Sequence, residues 1–273
     1  MIPRVMIIAG SDPSGGAGIQ ADIKTVTVLG GYAMTAITAI TVQNTCGVQD
    51  VMSLPDRIVH DQIKLVLNDV GCDAIKVGMI GSVDTGQAIL NALAQAGWNC
   101  DENSKTPCPP MIVDPVLAAT SGDSLAQEGV REFLKTALLP KTYLVTPNIP
   151  EAQMLTNRSI ECVDDQIAAA HDLIAMGARC ALVKGGHASG DQITDVLVTQ
   201  GTVHKITNQR LDTTSTHGTG CTLASAITTG LASGMAVQGA TQNAIDYVRG
   251  AIKAAPGFGK GNGPLDHGYR LRQ

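Results

Sequence analysis

Two glycine-rich stretches carry the residue types that could do chemistry. In DTTSTHGTGCTLASAI, Asp212 to Ile227, Gly218-Thr219-Gly220 opens a strongly apolar helix. Free backbone N–H groups and the positive end of the helix dipole would hold negative charge developing on a phosphoryl group there. Cys221 falls in the first turn, where a thiol's pKa tends to drop below ~8.5. A lone cysteine is more often a small buried hydrophobe. Directly after a glycine anion cradle, a functional role gains weight. The second stretch, GSDPSGGAGIQAD from Gly10 to Asp22, also runs a glycine loop into a helix start, which suits a polar or anionic ligand. No Gly-Lys-Ser/Thr follows it, so it is not a Walker loop. Gly16-x-Gly18-x-x-Ala21 varies the dinucleotide fingerprint, but Val42-Gln43-Asn44 supplies no acid for a ribose.

Three shorter segments add an amide, two acids and a cation. Thr146-Pro147-Asn148-Ile149-Pro150-Glu151 and Val113-Asp114-Pro115 each follow an apolar run. Asn148, Glu151 and Asp114 near phosphates suit Mg²⁺, which prefers oxygen ligands and keeps several waters. Turns and helix caps are the alternative reading of the same residues. Lys184-Gly185-Gly186 offers a cation beside two permissive glycines.

The elements that must position these residues alternate along the chain. Strands are predicted over 4–9, 33–42, 74–78, 111–114, 143–146 and 180–184. Helices are predicted over 18–29, from Pro55 to about residue 70, 83–96, 124–138, 164–176, 219–232 and 237–254. A run at 48–54 pairs with 33–42 as a hairpin, and 195–199 with 202–206 about Gln200-Gly201. Strand–helix alternation implies a mainly parallel sheet covered on both faces, with ligands outside the carboxyl ends of the strands. All the loops above then converge on one sheet edge. No composition shift marks a boundary, so residues 1–273 are expected to form one domain. The segment 99–110, NCDENSKTPCPP, reads as an exposed excursion.

Composition narrows the class. Of 273 residues 44% are hydrophobic and 16% charged, with 30 glycines and a net charge of −5. Charged residues fall below the usual ~25%. Seven aromatics and a mildly acidic balance exclude a stacking, basic nucleic-acid interface and give no attraction to anionic lipid. No apolar stretch approaches the ~18 residues of a membrane span, and MIPRVMIIAGSD reads as a first strand rather than a signal-peptide core. Seven scattered cysteines without a Cys-x-x-Cys pair argue against zinc and a disulfide framework, and point to a reducing cytoplasm.

Seven segments in order, AGSDPSGGAGIQADIKT, TVQNTCGV, KVGMIGS, VDPVL, TPNIPEA, VKGGH and STHGTGCTLASA, span essentially the whole chain. They resemble the bifunctional hydroxymethylpyrimidine/phosphomethylpyrimidine kinases of thiamine biosynthesis, in the ribokinase-like superfamily. The resemblance implies a three-layer αβα fold with a small strand lid. It implies ATP, Mg²⁺ and phosphorylation of 4-amino-5-hydroxymethyl-2-methylpyrimidine to its monophosphate and then its diphosphate. It further implies that Gln43 hydrogen-bonds the pyrimidine, with Asp22, Met79 and Gly10 beside it. Asn148 and Glu151 match the motif that organises Mg²⁺ and phosphate, with Asp114 close by. Lys184 reaches the phosphates, which Thr219 and Asn148 also bind, Gly218 and Gly220 form the anion hole, and Cys221 takes the place of a catalytic Asp in related sugar kinases. Relatives also imply a homodimer, through the runs 33–42 and 48–54. Rival readings are a pyridoxal or pyridoxine kinase of the same superfamily and a non-catalytic pyrimidine-binding regulator.

Overall fold

A computed structural model describes residues 1–98, 108–117, 127–188 and 190–272. Nine strands among them form one sheet in the order β3-β2-β1-β4-β5-β6-β7-β8-β9. These are β1 (Arg4–Ser11), β2 (Tyr32–Asn44), β3 (Gly47–Ser53), β4 (Ala74–Val77), β5 (Met111–Val113), β6 (Leu144–Val145), β7 (Cys180–Val183), β8 (Gln192–Thr199) and β9 (Thr202–Gln209). The run from β2 to β7 is parallel, while β3, β8 and β9 join antiparallel.

Side-chain alternation divides the sheet's contacts between two faces. Met6, Ile8, Ile75, Val77, Val113 and Val145 pack with α2 (Asp56–Asp69), α3 (Val83–Gln95), α5 (Ile149–Thr156) and α6 (Val163–Ala175). Val5 and Ile7 meet α1 (Gly18–Val28), and Ile112, Leu182 and Leu197 meet α7 (Thr219–Ala232) and α8 (Val237–Lys253). The result is an αβα sandwich. The expected strand lid is the far end of β2, where Ala39–Asn44 pairs with β3 in continuity with the main sheet.

Three expectations change. The helix predicted over 124–138 is α4 (Val130–Phe133) followed by a wider turn, Leu134–Leu138; residues 124–126 lie outside the described residues. The segment after β6 is not a plain loop, because α5 starts at Ile149. Cys108 is disulfide-bonded, although Cys46, Cys72, Cys162, Cys180 and Cys221 are free. Scattered spacing speaks against a framework of bridges, not against a single link. The excursion expected at 99–110 lies outside the described residues from 99 to 107.

Candidate active site

A cavity of about 1240 Å³ opens along the carboxyl edge of the strands. Gly10, Gln43 and Met79 line it on the β1–β2–β4 side, and Ile193, Arg210 and Leu223 on the β7–β9 side. Between them lie Asp114, Asn148, Glu151, Lys184 and the first turn of α7.

That first turn is bare. Gly218 precedes α7 with φ of 84°, no side chain caps the helix, and no acidic residue stands in its opening turn. The amides of Gly220 and Cys221 have no acceptor among the described residues. A Cβ on Gly218 would lie 1.8 Å from the Gly16 carbonyl oxygen, so only glycine lets the two glycine loops touch. A Cβ on Gly220 would lie 3.2 Å from Lys184 Nζ, which places that backbone against the cation. Thr219 donates its hydroxyl to the Thr216 carbonyl at 3.1 Å and lines the same wall.

Lys184 follows β7 and donates to Asp114 Oδ1 at 2.8 Å, with 14% of the lysine side chain exposed. Burial lowers the lysine's pKa, but Asp114 and Glu151 outweigh it and hold the ammonium charged. Asn148 and Glu151 form a capping box at α5. The Asn148 amide donates to Glu151 Oε2 at 2.8 Å, and the Glu151 amide to Asn148 Oδ1 at 2.9 Å. Both side chains therefore do the capping work that was their alternative reading. Burial pushes the Glu151 carboxyl up to about 7; Lys184 opposes this and the Asp114 charge adds to it.

The acceptor side differs from expectation at Asp22. Its carboxylate is fully buried in α1 rather than in the cavity wall, receiving Lys76 Nζ at 2.8 Å and the Ser225 hydroxyl at 2.7 Å. Those two donors, from β4 and α7, fix it below the floor. Gln43 is half-buried, 3.1 Å from the Thr41 hydroxyl. A Cβ on Gly10 would sit 3.2 Å from the Met79 sulfur, so these two residues form one surface.

Cys221 also departs from expectation. Its thiol is not depressed by the helix terminus; burial pushes it up to about 11, against the pull of Lys76. Desolvation exceeds the dipole here.

Sequence reasoning left three residues without roles. Lys76 is a charge inside the apolar strand Ala-Ile-Lys-Val, and that interruption was its signal. His217 Nε2 and Asp12 Oδ2 meet at 2.8 Å, tying the two glycine loops together. Burial would raise the Asp12 pKa, but His217, Ser14 and the Ala17 amide draw it down to about 2.

Helices on both faces of this strand order, with the bare terminus of α7 and a lysine at the carboxyl edge, define a ribokinase-like phosphotransferase. The family model described as phosphomethylpyrimidine kinase matches residues 12–266, and the chain belongs to that family. It is 42% identical to the hydroxymethylpyrimidine/phosphomethylpyrimidine kinase of Streptomyces coelicolor, over 98% of this chain and 96% of the relative. A solved phosphomethylpyrimidine kinase from Clostridium difficile superposes with a TM-score of 0.78 at 37% identity, covering 92% of this chain and all of the other. Bacillus subtilis pyridoxal kinase in its ADP complex gives 0.88 at 30% identity, covering 100% of both chains.

Proposed function

We propose that this chain transfers the γ-phosphoryl group of ATP to the hydroxymethyl oxygen of 4-amino-5-hydroxymethyl-2-methylpyrimidine, and in a second round to the resulting monophosphate. The observation that carries the reading is the division of one cavity. Gln43, Met79 and Gly10 stand on one side, Arg210 and apolar Ile193 and Leu223 on the other, and the uncapped α7 terminus with Lys184 lies between. A flat aminopyrimidine suits the first side, since the Gln43 amide can donate and accept. The second suits the nucleotide, in line with the ADP complex of the Bacillus subtilis neighbour.

Phosphoryl transfer is mainly positioning and charge stabilisation. Lys184 leaves Asp114 for the incoming phosphate oxygens, while the Gly220 and Cys221 amides hold the transferring group. The donor set fits Mg²⁺. Asp114, Glu151 and Asn148 all border the cavity and offer only oxygen as a metal ligand, the type Mg²⁺ prefers. Mg²⁺ binds through one or two carboxylates and retains waters. Asp114 and Glu151 would hold it, with Asn148 fixing Glu151, and the ion would neutralise phosphate charge. Cys221 is placed to take the hydroxyl proton. With a thiol near 11, only about one molecule in 10⁴ is ionised at pH 7, so its help falls at the low end of general-base effects, about 10²-fold.

Pyridoxal-type alcohols are a second reading, favoured by the TM-score of 0.88 to a pyridoxal kinase. A pocket does not easily reject a ring of similar size and polarity. ADP release with ATP, Mg²⁺ and each alcohol tests both. Turnover of the pyrimidine alcohol and its monophosphate, with slower turnover of pyridoxine, is expected; pyridoxine as the preferred acceptor would overturn the first reading. A homodimer through the β2–β3 ribbon is part of the proposal, supported by the exposed Val42 and Met52 side chains. Light scattering should then report twice the 28.2 kDa chain mass. The cytoplasm is the proposed location.

A further inference from the structure

Lys76 calls for an explanation that packing does not give. Its register neighbours are Ile7 on β1 and Ile112 on β5, and its side chain is fully buried. Replacing a buried ion pair with apolar residues of similar volume is often neutral or stabilising. An aliphatic residue would therefore serve the sheet as well. The ammonium has three donors, yet Asp22 Oδ2 at 2.8 Å is its one acceptor among the described residues. Lys76 also borders the cavity together with Cys221.

The geometry joins these two residues. Ser225 lies one turn after Cys221 on the same face of α7, and its hydroxyl fixes the other Asp22 oxygen at 2.7 Å. A chain of contacts therefore runs from α7 through Asp22 to Lys76, and the lysine and Cys221 line the same cavity. We infer that Lys76 is a positioning residue for the acceptor chemistry: held by Asp22 and Ser225, its ammonium is the fixed counter-charge that keeps the Cys221 sulfur ready to take the acceptor's hydroxyl proton. This deepens, and rests on, the reading of Cys221 given above. As the acceptor oxygen bonds to the γ-phosphorus, the bond to the bridging oxygen breaks and ADP leaves with that electron pair. The hydroxyl proton passes to the ionised sulfur.

Four charged groups act on Cys221. Lys76 from β4 and Lys184 after β7 favour the thiolate, while Asp22 from α1 and Asp114 after β5 oppose it. Burial is the largest influence on the thiol, and Lys76 is the largest one opposing it. The two partners of the buried pair thus act on the sulfur with opposite signs.

That opposition gives the test. The intact protein is treated with iodoacetamide from pH 7 to 10 without nucleotide, and alkylation of the Cys221 peptide is followed by mass spectrometry. Lys76→Met should slow alkylation about tenfold at fixed pH, the equivalent of one pKa unit. Asp22→Asn should accelerate it. A residue that merely supports the fold would move both variants the same way, and that result, or no change, overturns the inference. If Lys76→Met fails to fold, Lys76→Met/Asp22→Asn is compared with Asp22→Asn alone. The double variant should react about tenfold more slowly, and equal rates overturn the inference. Because alkylation needs no turnover, a failed counter-charge is distinguishable from a failed proton-acceptor role, which Cys221→Ala reports through activity.

Discussion

Lys76 and Lys184 each meet an aspartate at 2.8 Å, and each stands near the carboxyl end of a parallel strand. In the first pair both side chains are 0% exposed; in the second the lysine retains 14% and the aspartate 3%. That small difference separates two kinds of work. Both partners of the open pair border the cavity, so that pair can exchange when a phosphate arrives. In the sealed pair only Lys76 borders it, while Asp22 lies behind and is also held by Ser225, so the pair stays made and the ammonium acts on what shares the cavity with it. A buried ion pair is thus informative according to which of its atoms borders a cavity, more than according to its length.

Breaking one partner of each pair should expose the contrast. The largest expected effect is on stability: Lys76→Met strands Asp22 and should cost about 3–5 kcal/mol in denaturant unfolding. Lys184→Met should leave unfolding nearly unchanged, since Asp114 can be reached by water. The same Lys184 variant should instead lose about 10²–10³-fold in kcat for both acceptors, the scale of one missing anion-hole donor. If both lysine variants lose stability equally, the contrast between the pairs collapses.

Cys221→Ala sharpens it further, because the thiol touches both charge fields. The alcohol step should fall about 10²-fold. The monophosphate step should fall far less, since a phosphate monoester with a second pKa near ~6 is already largely dianionic at pH 7. Steady-state kcat/KM for the two acceptors reads this directly. The smallest effect belongs to the sealed side alone. His267 Nε2 lies 2.9 Å from the Thr222 hydroxyl of α7, and burial lowers the imidazole from 6.5 to about 4. The unfolded chain therefore binds this proton more tightly, so stability is full above pH 6.5 and declines as pH falls towards 4. Between pH 6.5 and 5.5 the loss should be about 1 kcal/mol, with a flatter profile in His267→Asn.

Much of this was legible in the sequence because period and punctuation are local. Residues 180–184 read as a buried strand, and the glycines at 218 and 220 announce a helix start. The carboxyl-edge rule then gathers the loops at one place without any knowledge of packing. Segment 149–156 was also readable: Asn148 and Glu151 three residues apart are a capping box, and proline is tolerated in a first turn. Two prolines masked it. What stayed hidden was depth. Cys221 was placed at a helix N-terminus correctly, but the sequence does not say how much protein surrounds the sulfur, and burial reversed the expected ionisation. Asp22 and Lys76 are 54 residues apart, and nothing local pairs them.

The tie between Asp12 and His217 has a consequence for how the molecule comes into being. These residues are 205 positions apart, and Ser225 meets Asp22 across 203. Closing a loop of that length costs roughly 2 kcal/mol more entropy than closing one of about 20 residues, and contacts this non-local slow folding. On a ribosome, the first glycine loop emerges some two hundred residues before the helix that completes it. A partly made chain therefore presents strands and one glycine loop without the helix start that meets it. The anion cradle is complete only once α7 has joined the first glycine loop across that separation.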